Sequence, residues 1–485
     1  MIKLLNFRRH ALYITATLLL GACAVGPDYR EPPLIDVGSG WAQSVEASAA
    51  QFELSQWWTS LGDPVLDRLV TDALFNNLSL RQAQARISEV RALRDRTAGG
   101  YAPIVETAGS VSRRRQSVNG PLPIASIPGL ERDQTIYDMG FDAAWEIDLF
   151  GKTSRSLESA EASVQAAQAD AIDVRISVAA EVARSYLTLR GAQRELAARE
   201  ATVETLQQTL NLMRKRLELG DASQADVDTT QARLDAADAA LPGIQARLRN
   251  AALGLAVLLG EPPERELALI NSDVPEIILT PLPVGERADV LRRRPDIRAA
   301  ERRLAASTAD IGVATADLFP KLSIGAGGGF QSLDSSNLFE SDSSTFSIVP
   351  FISWRLFDGG RVRAEIRATE ARQQQAALAY EQAVLTALGD AERVLSDYHF
   401  GLDAVQRQQL AVQAARRSYG HAQVRFDAGD IALTELLAEE RVLRDAEDGY
   451  VRTHTNTAIS LIALFKALGG GWDVSLVELD QSKPQ

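Results

Sequence analysis

The chain has 485 residues and a formal net charge of −13 at pH 7, from 51 Lys and Arg against 64 Asp and Glu. That acid excess argues against nucleic acid as a partner, and the single cysteine rules out a disulfide within the chain, so stability must come from packing. The length suits about two or three ordinary domains or one elongated one.

In chain order, residues 1–22 have the layout of a secretory signal: Lys3, Arg8 and Arg9, then an apolar run from Ala11 to Leu20, then small residues. Leu20-Gly21-Ala22-Cys23 resembles a bacterial lipobox. The expectation is cleavage before Cys23 and a covalent lipid on it, with 23–62 as a lipid-anchored N-terminal segment. No apolar run of about 18 residues follows, so the mature chain has no candidate spanning helix. If it crosses a membrane, it must do so as a closed β-barrel.

From residue 63 the sequence repeats itself. Leu80-Arg81-Gln82-Ala83 and Tyr101-Ala102-Pro103 reappear 217 residues later as Ile297-Arg298-Ala299-Ala300 and Leu318-Phe319-Pro320. Trp145, Arg216 to Asp221 and Leu259-Gly260 reappear 209 residues later as Trp354, Arg425 to Asp430 and Leu468-Gly469. The expected organisation is a first repeat over 63–271, a Pro/Gly-punctuated linker over 272–287, a second repeat over 288–472 and a tail over 473–485. Each copy reads helix, strand, strand, very long helix, tight turn, helix. Lys152 to Leu219 has no proline and one glycine, Gly191, among good helix formers. Gly220 has the position of a helix-ending glycine, Ser223 that of an N-cap for the return helix to about Leu258, and Pro242 predicts a kink. The long helical hairpins are thus expected over 152–258 and 361–468.

The strand hairpins are expected over about 104–150 and 321–357. From Phe141 to Leu149, Phe141, Ala143, Trp145, Ile147 and Leu149 alternate with Asp142, Ala144, Glu146 and Asp148, a two-residue period close in length to a tilted membrane strand. In 346–356, Phe346, Ile348, Pro350, Ile352, Trp354 and Leu356 share one face against Ser347, Ser353 and Arg355. Leu322 to Gln331 alternates likewise, and Val105 to Val111 does so more weakly. Four strands cannot close a barrel, so a membrane reading requires several chains to pool theirs. Asp142, Glu146 and Asp148 are then the candidate lumen-facing acids.

The combination resembles the TolC-like outer-membrane factors of tripartite efflux pumps, most closely the NodT/OprM lipoprotein branch. The residues that carry it are the lipobox cysteine, Gly26-Pro27-Asp28-Tyr29, Trp57-Trp58, Leu61-Gly62-Asp63-Pro64, Leu258 to Pro262, Arg292 to Ile297, Asp317-Leu318-Phe319-Pro320 and Leu356 to Gly360. The resemblance implies a mainly α fold with a membrane β-barrel. In a homotrimer, twelve strands form the barrel and long helical hairpins form a periplasmic tunnel. The implied work is passive conduction of small molecules across the outer membrane, with a periplasmic adaptor and an inner-membrane transporter as partners. The implied gate lies at the hairpin turns, which makes Gly220, Asp221, Asp226, Gly429, Asp430, Thr434, Glu435 and Ala438 the candidates. OprM-like members carry leucine and aspartate five and nine positions after the second-turn glycine; this chain has Thr434 and Ala438 there.

Three other readings compete: a channel for type I protein secretion, a periplasmic coiled-coil lipoprotein and an enzyme. The coiled coil leaves the matched strand hairpins unexplained. His10, His399, His421 and His454 make no metal spacing or triad pattern, and no nucleophile elbow, zinc motif or phosphate loop occurs. The expectation is no catalysis, no metal and no cofactor beyond the lipid on Cys23.

Overall fold

The computed structural model describes residues 24–32, 38, 40–42, 54–117, 119, 131–275, 277–282, 284 and 287–472. The signal segment, Cys23 and the tail 473–485 lie outside them. One element order occurs twice. First come α1 (Pro64–Asn76), α2 (Leu78–Ala98), β1 (Ile104–Arg115), β2 (Asp133–Ile147), α3 (Lys152–Leu219) and α4 (Gln224–Leu258). Then come α5 (Arg287–Arg293), α6 (Pro295–Ala316), β3 (Lys321–Ser332), β4 (Ser344–Ser353), α7 (Arg361–Asp427) and α8 (Leu433–Ala467). The chain is mainly helical with one four-stranded sheet.

The 68 residues of α3 and 67 of α7 each rise through roughly 100 Å. Both helices stop for the same local reason. Gly220 and Gly429 take φ of +81° and +82°, a conformation that costs a glycine nothing. Their N–H groups donate to Leu217 and Phe426, and those of Asp221 and Asp430 reach back to Arg216 and Arg425, at 2.8–3.1 Å. This satisfies carbonyls that a helix end would leave open. The same closure ends α4 at Gly260 and α8 at Gly469. Pro242 lies inside α4, which is assigned as one helix through it. Pro242 and Asp238, whose carbonyl loses its usual donor, are both exposed, so water can take that bond.

The chain divides into two compact units, each with residues of both copies. Among the described residues, one holds 24–32, those of 88–166 and 300–380; the other holds those of 38–87, 167–299 and 381–472. In the second, Trp57 stacks on Phe465 with centroids 4.9 Å apart, in a core with Leu66, Leu69, Tyr186, Leu255 and Leu464. Asp63 starts α1 by accepting from the N–H groups of Val65 and Leu66 and also takes the Tyr186 hydroxyl. Helices come close where side chains vanish: a Cβ on Gly191 would lie 2.6 Å from the Thr455 side chain on α8. A smaller cluster near the hairpin turns joins Leu210, Met213, Leu234, Phe426 and Leu437.

In the first unit the sheet order is β1-β2-β3-β4, all antiparallel. The central pair, β2 with β3, joins the two copies, and β1 and β4 are left as edges.

Candidate functional site

The ladder register assigns the faces of the sheet, since directly opposite residues share a side. On one side lie Val111 with Tyr137, Met139 with Phe330, Phe141 with Phe346 across Gly328, Ala143 with Ile348, and Trp145 with Ile324. Much of this side is bare: Phe346 is 88 % exposed and Ile348 70 %. An apolar face this broad requires an apolar cover.

On the other side lie Ser110, Asp138 and Gln331 in one row and Glu106, Asp142, Gly327 and Ser347 in another, with Glu146 opposite Ser323. Asp142 and Glu146 thus share the polar face, as the alternation predicts. Asp148 does not belong with them. The strand ends at Ile147, and Asp148 Oδ2 instead accepts the Ser154 N–H at 2.8 Å, starting α3. Asp358 does the same for α7, taking the N–H groups of Gly360 and Val362 at 2.8 and 2.9 Å. Trp354, Arg355 and Leu356 likewise fall past the end of β4, where Trp354 Nε1 donates to the Leu318 carbonyl at 3.0 Å. Two further acids join this face: Glu106, which the alternation of its strand sets on the polar side without linking it to Asp142, and Asp138, which sequence reasoning missed. Glu106 stands directly across from Asp142, and Asp138 accepts from Gln331 Nε2 at 2.6 Å. Only the cross-strand register reveals them as one group.

The segment Ala24–Tyr29 is fixed beside the helix ends of the sheet. The Val25 N–H donates to the Phe150 carbonyl at 3.2 Å. Gly26, at φ +95°, lies so close to α6 that an added Cβ would be 2.4 Å from Gly312 Cα. Arg155, almost fully buried, binds Asp28 at 2.6 Å and Glu158 at 2.8 Å and donates to the Val25 carbonyl. Its hydrogen bond and positive charge hold the Asp28 carboxyl below the usual range. The Tyr29 hydroxyl donates to Glu301, and Arg302 lies over the Tyr29 ring at 5.4 Å.

At the hairpin turns the candidate residues separate by role. Gly220 and Gly429 close helices. Asp226 forms a capping box with Ser223: its carboxylate accepts the Ser223 N–H at 2.9 Å, and its own N–H donates to Ser223 Oγ at 3.2 Å. The hydrogen bonds from Ser223 hold the Asp226 carboxyl below its ordinary 3.8. In the second copy Ala432 stands in Ser223's place with no side-chain cap. Glu435 pairs with Arg425 at 3.5 Å, both exposed. Asp221, Asp430, Thr434 and Ala438 are exposed. The unusual acid is Glu440, 5 % exposed, whose Oε1 lacks a hydrogen-bond partner among the described residues. Burial pushes its carboxyl up, partly opposed by Arg444 and Arg233. Its signal in sequence is its place in the apolar stripe Leu433, Leu436, Leu437, Glu440, Leu443.

Among the described residues no group of His, Cys, Asp and Glu has metal-holding geometry, and no helix is long and apolar enough to cross a membrane. The family model described as "outer membrane efflux protein" matches residues 69–261 and 287–470, one segment on each side of the linker. The chain is 31 % identical over 476 residues to the outer membrane protein OprJ of Pseudomonas aeruginosa, covering 96 % of this chain and 97 % of that one. It is 31 % identical over 479 residues to the toluene efflux pump outer membrane protein TtgF of Pseudomonas putida, covering 96 % and 98 %. Among solved structures, the outer-membrane channel OprN matches with a TM-score of 0.84 and 37 % identity over 93 % of this chain and 100 % of that one. The open state of the MtrE outer membrane channel of Neisseria gonorrhoeae matches with a TM-score of 0.81 and 25 % identity over 93 % and 99 %. A duplicated helical chain carrying one two-faced sheet, matched over both copies by one family and over nearly its whole length by that family's channels, is a member of the outer membrane efflux protein family and not an enzyme.

Proposed function

We propose that three copies of this chain form the outer-membrane duct of a tripartite efflux system and conduct small molecules passively from a periplasmic adaptor and an inner-membrane transporter to the exterior. The observation that carries this reading is the sheet itself: one broad apolar face, one acidic face and two unpaired edges. Lipid covers the first face, water fills the lumen against the second, and neighbouring copies pair the edges, since open strand edges are not tolerated in a bilayer. Three copies supply twelve strands, with Glu106, Asp138, Asp142 and Glu146 lining the passage. The turns at Gly220 and Gly429 form the periplasmic end, where the adaptor docks and the passage is gated. Relatives named for toluene efflux and efflux generally support a small-molecule cargo over a secreted protein.

Cys23 carries a lipid in this reading. Ala24, the next residue in the chain, packs against Gly151 where the sheet gives way to α3. Two measurements test the proposal. Native mass spectrometry of the detergent-extracted protein should give a trimer; a stable monomer or dimer rejects the pooled barrel. Metabolic labelling with palmitate should mark the parent chain and not Cys23→Ser; equal labelling of both rejects the anchor.

A further inference from the structure

The far ends of the two strand hairpins, away from the helices, carry opposite charge. β1 ends in Arg113-Arg114-Arg115, and Arg113 and Arg114 have no ion pair among the described residues. Arg115 reaches only Asp133, at 3.7 Å, with both side chains exposed. The connection from β3 to β4 carries Asp334, Glu340 and Asp342 and neither lysine nor arginine. The arginines therefore stand on one edge strand, and the acids stand beside the start of the other.

β1 runs toward its hairpin turn and β4 runs away from its own. Set edge to edge, the two are antiparallel with their charged ends together. Gly109, Met139, Phe330 and Ser344 share one cross-strand row. Arg113 lies four residues beyond that row on β1, and Glu340 and Asp342 precede Ser344 in a connection folded into short 3-10 turns at Ser335–Asn337 and Ser341–Ser343, so both charge groups lie past the row at the same end of the sheet. We propose that the arginine end of β1 in one copy clasps the acidic β3–β4 connection of the next copy, and that this charge match selects β1–β4 pairing and its register. The proposal rests on the trimeric barrel reading and adds to it what specifies the joint. Sliding β1 inward along β4 draws the arginines away from the acids, so the clasp penalises register slip, which backbone pairing alone tolerates. A lipid phosphate is the poorer occupant. Arg113 and Arg115 stand on the apolar face and Arg114 on the polar face, so the group projects around the edge rather than toward one surface.

The test uses the full-length protein in detergent, followed by native mass spectrometry across a salt series. The triple variant R113E/R114E/R115E should raise the monomer fraction about tenfold at low salt, as expected for a network of exposed pairs. D334R/E340R/D342R should do the same, and the chain carrying all six changes should recover the trimer. Normal assembly of the first variant overturns the clasp. Failure of the six-fold variant to recover also overturns it, and recovery by added lipopolysaccharide instead assigns the arginines to lipid. A parent chain that is not trimeric rejects the barrel reading itself, a result distinct from either.

Discussion

Adding one methyl group at Gly329 should damage the sheet, while the same change at Gly325 should not. Both glycines lie on the polar face of β3. A Cβ on Gly329 would sit 2.4 Å from the Met139 carbonyl oxygen and 2.5 Å from Gly140 Cα, both backbone atoms of β2. No rotamer change relieves a contact with backbone, so β2 and β3 must part locally by about 1 Å to reach ordinary van der Waals separation. Two ladder bonds weakened at about 1 kcal/mol each and about 1–3 kcal/mol of overpacking strain act against about 0.5–1 kcal/mol gained by replacing a strand glycine. The net is a loss of about 2–4 kcal/mol for Gly329→Ala. At Gly325 the nearest atom to a new Cβ is the Val349 oxygen at 3.7 Å, an ordinary contact. Gly325→Ala should therefore be neutral or stabilising by about 0.5–1 kcal/mol. A gap of about 3 kcal/mol is more than a hundredfold in an equilibrium constant. Parallel urea titrations in detergent, read by tryptophan fluorescence and by retained trimer, measure it. Equal midpoints for the two variants would refute the close β2–β3 approach on which the estimate stands.

Three further outcomes follow from the described residues. Ser223→Ala should cost about 1 kcal/mol at the start of α4, and Ala432→Ser should give a similar gain at the start of α8; hydrogen exchange at the two turns reads both, and the part that depends on ionised Asp226 should be present above pH 3.8 and vanish on acidification, because its folded value is depressed. Glu440 has the opposite sign: its carboxyl is raised above the ordinary 4.5, so the hairpin ends should lose stability as pH climbs from 4.5 through the folded value. Glu440→Gln should flatten that slope and stabilise the turns by about 1–2 kcal/mol at neutral pH, whereas an unchanged pH profile of protease resistance would place the titration elsewhere. In planar bilayers the parent channel should prefer cations, and replacing Glu106, Asp142 and Glu146 with their amides should weaken that preference; Asp148→Asn should leave selectivity alone and loosen the start of α3, which separates a lumen acid from a helix cap.

Sequence alone determined the features that arise between near neighbours in the chain. The proline-free run from Lys152 to Leu219 is a helix over those residues because every position accepts helical backbone and Gly220 accepts the left-handed turn that ends it. The Ser223 cap and the alternation of Phe141 to Ile147 were legible for the same reason: each is a short-range pattern with one satisfactory geometry. The repeat placed both hairpins at matching positions before any contact was known. Tertiary structure decided what depends on a partner far along the chain. The strand period marks Asp148 as an acid of the polar face, yet the strand stops one residue earlier and the carboxylate turns to the helix it precedes. Glu106 meets Asp142 only because β1 and β2 pair in one register out of several that the pattern allows. Glycines read alike in sequence, but Gly329 is held by the backbone of β2 and Gly325 is not, a difference set by strand separation. Glu440, one acid among many near a turn, becomes a buried charge because the stripe it belongs to faces the packed interior.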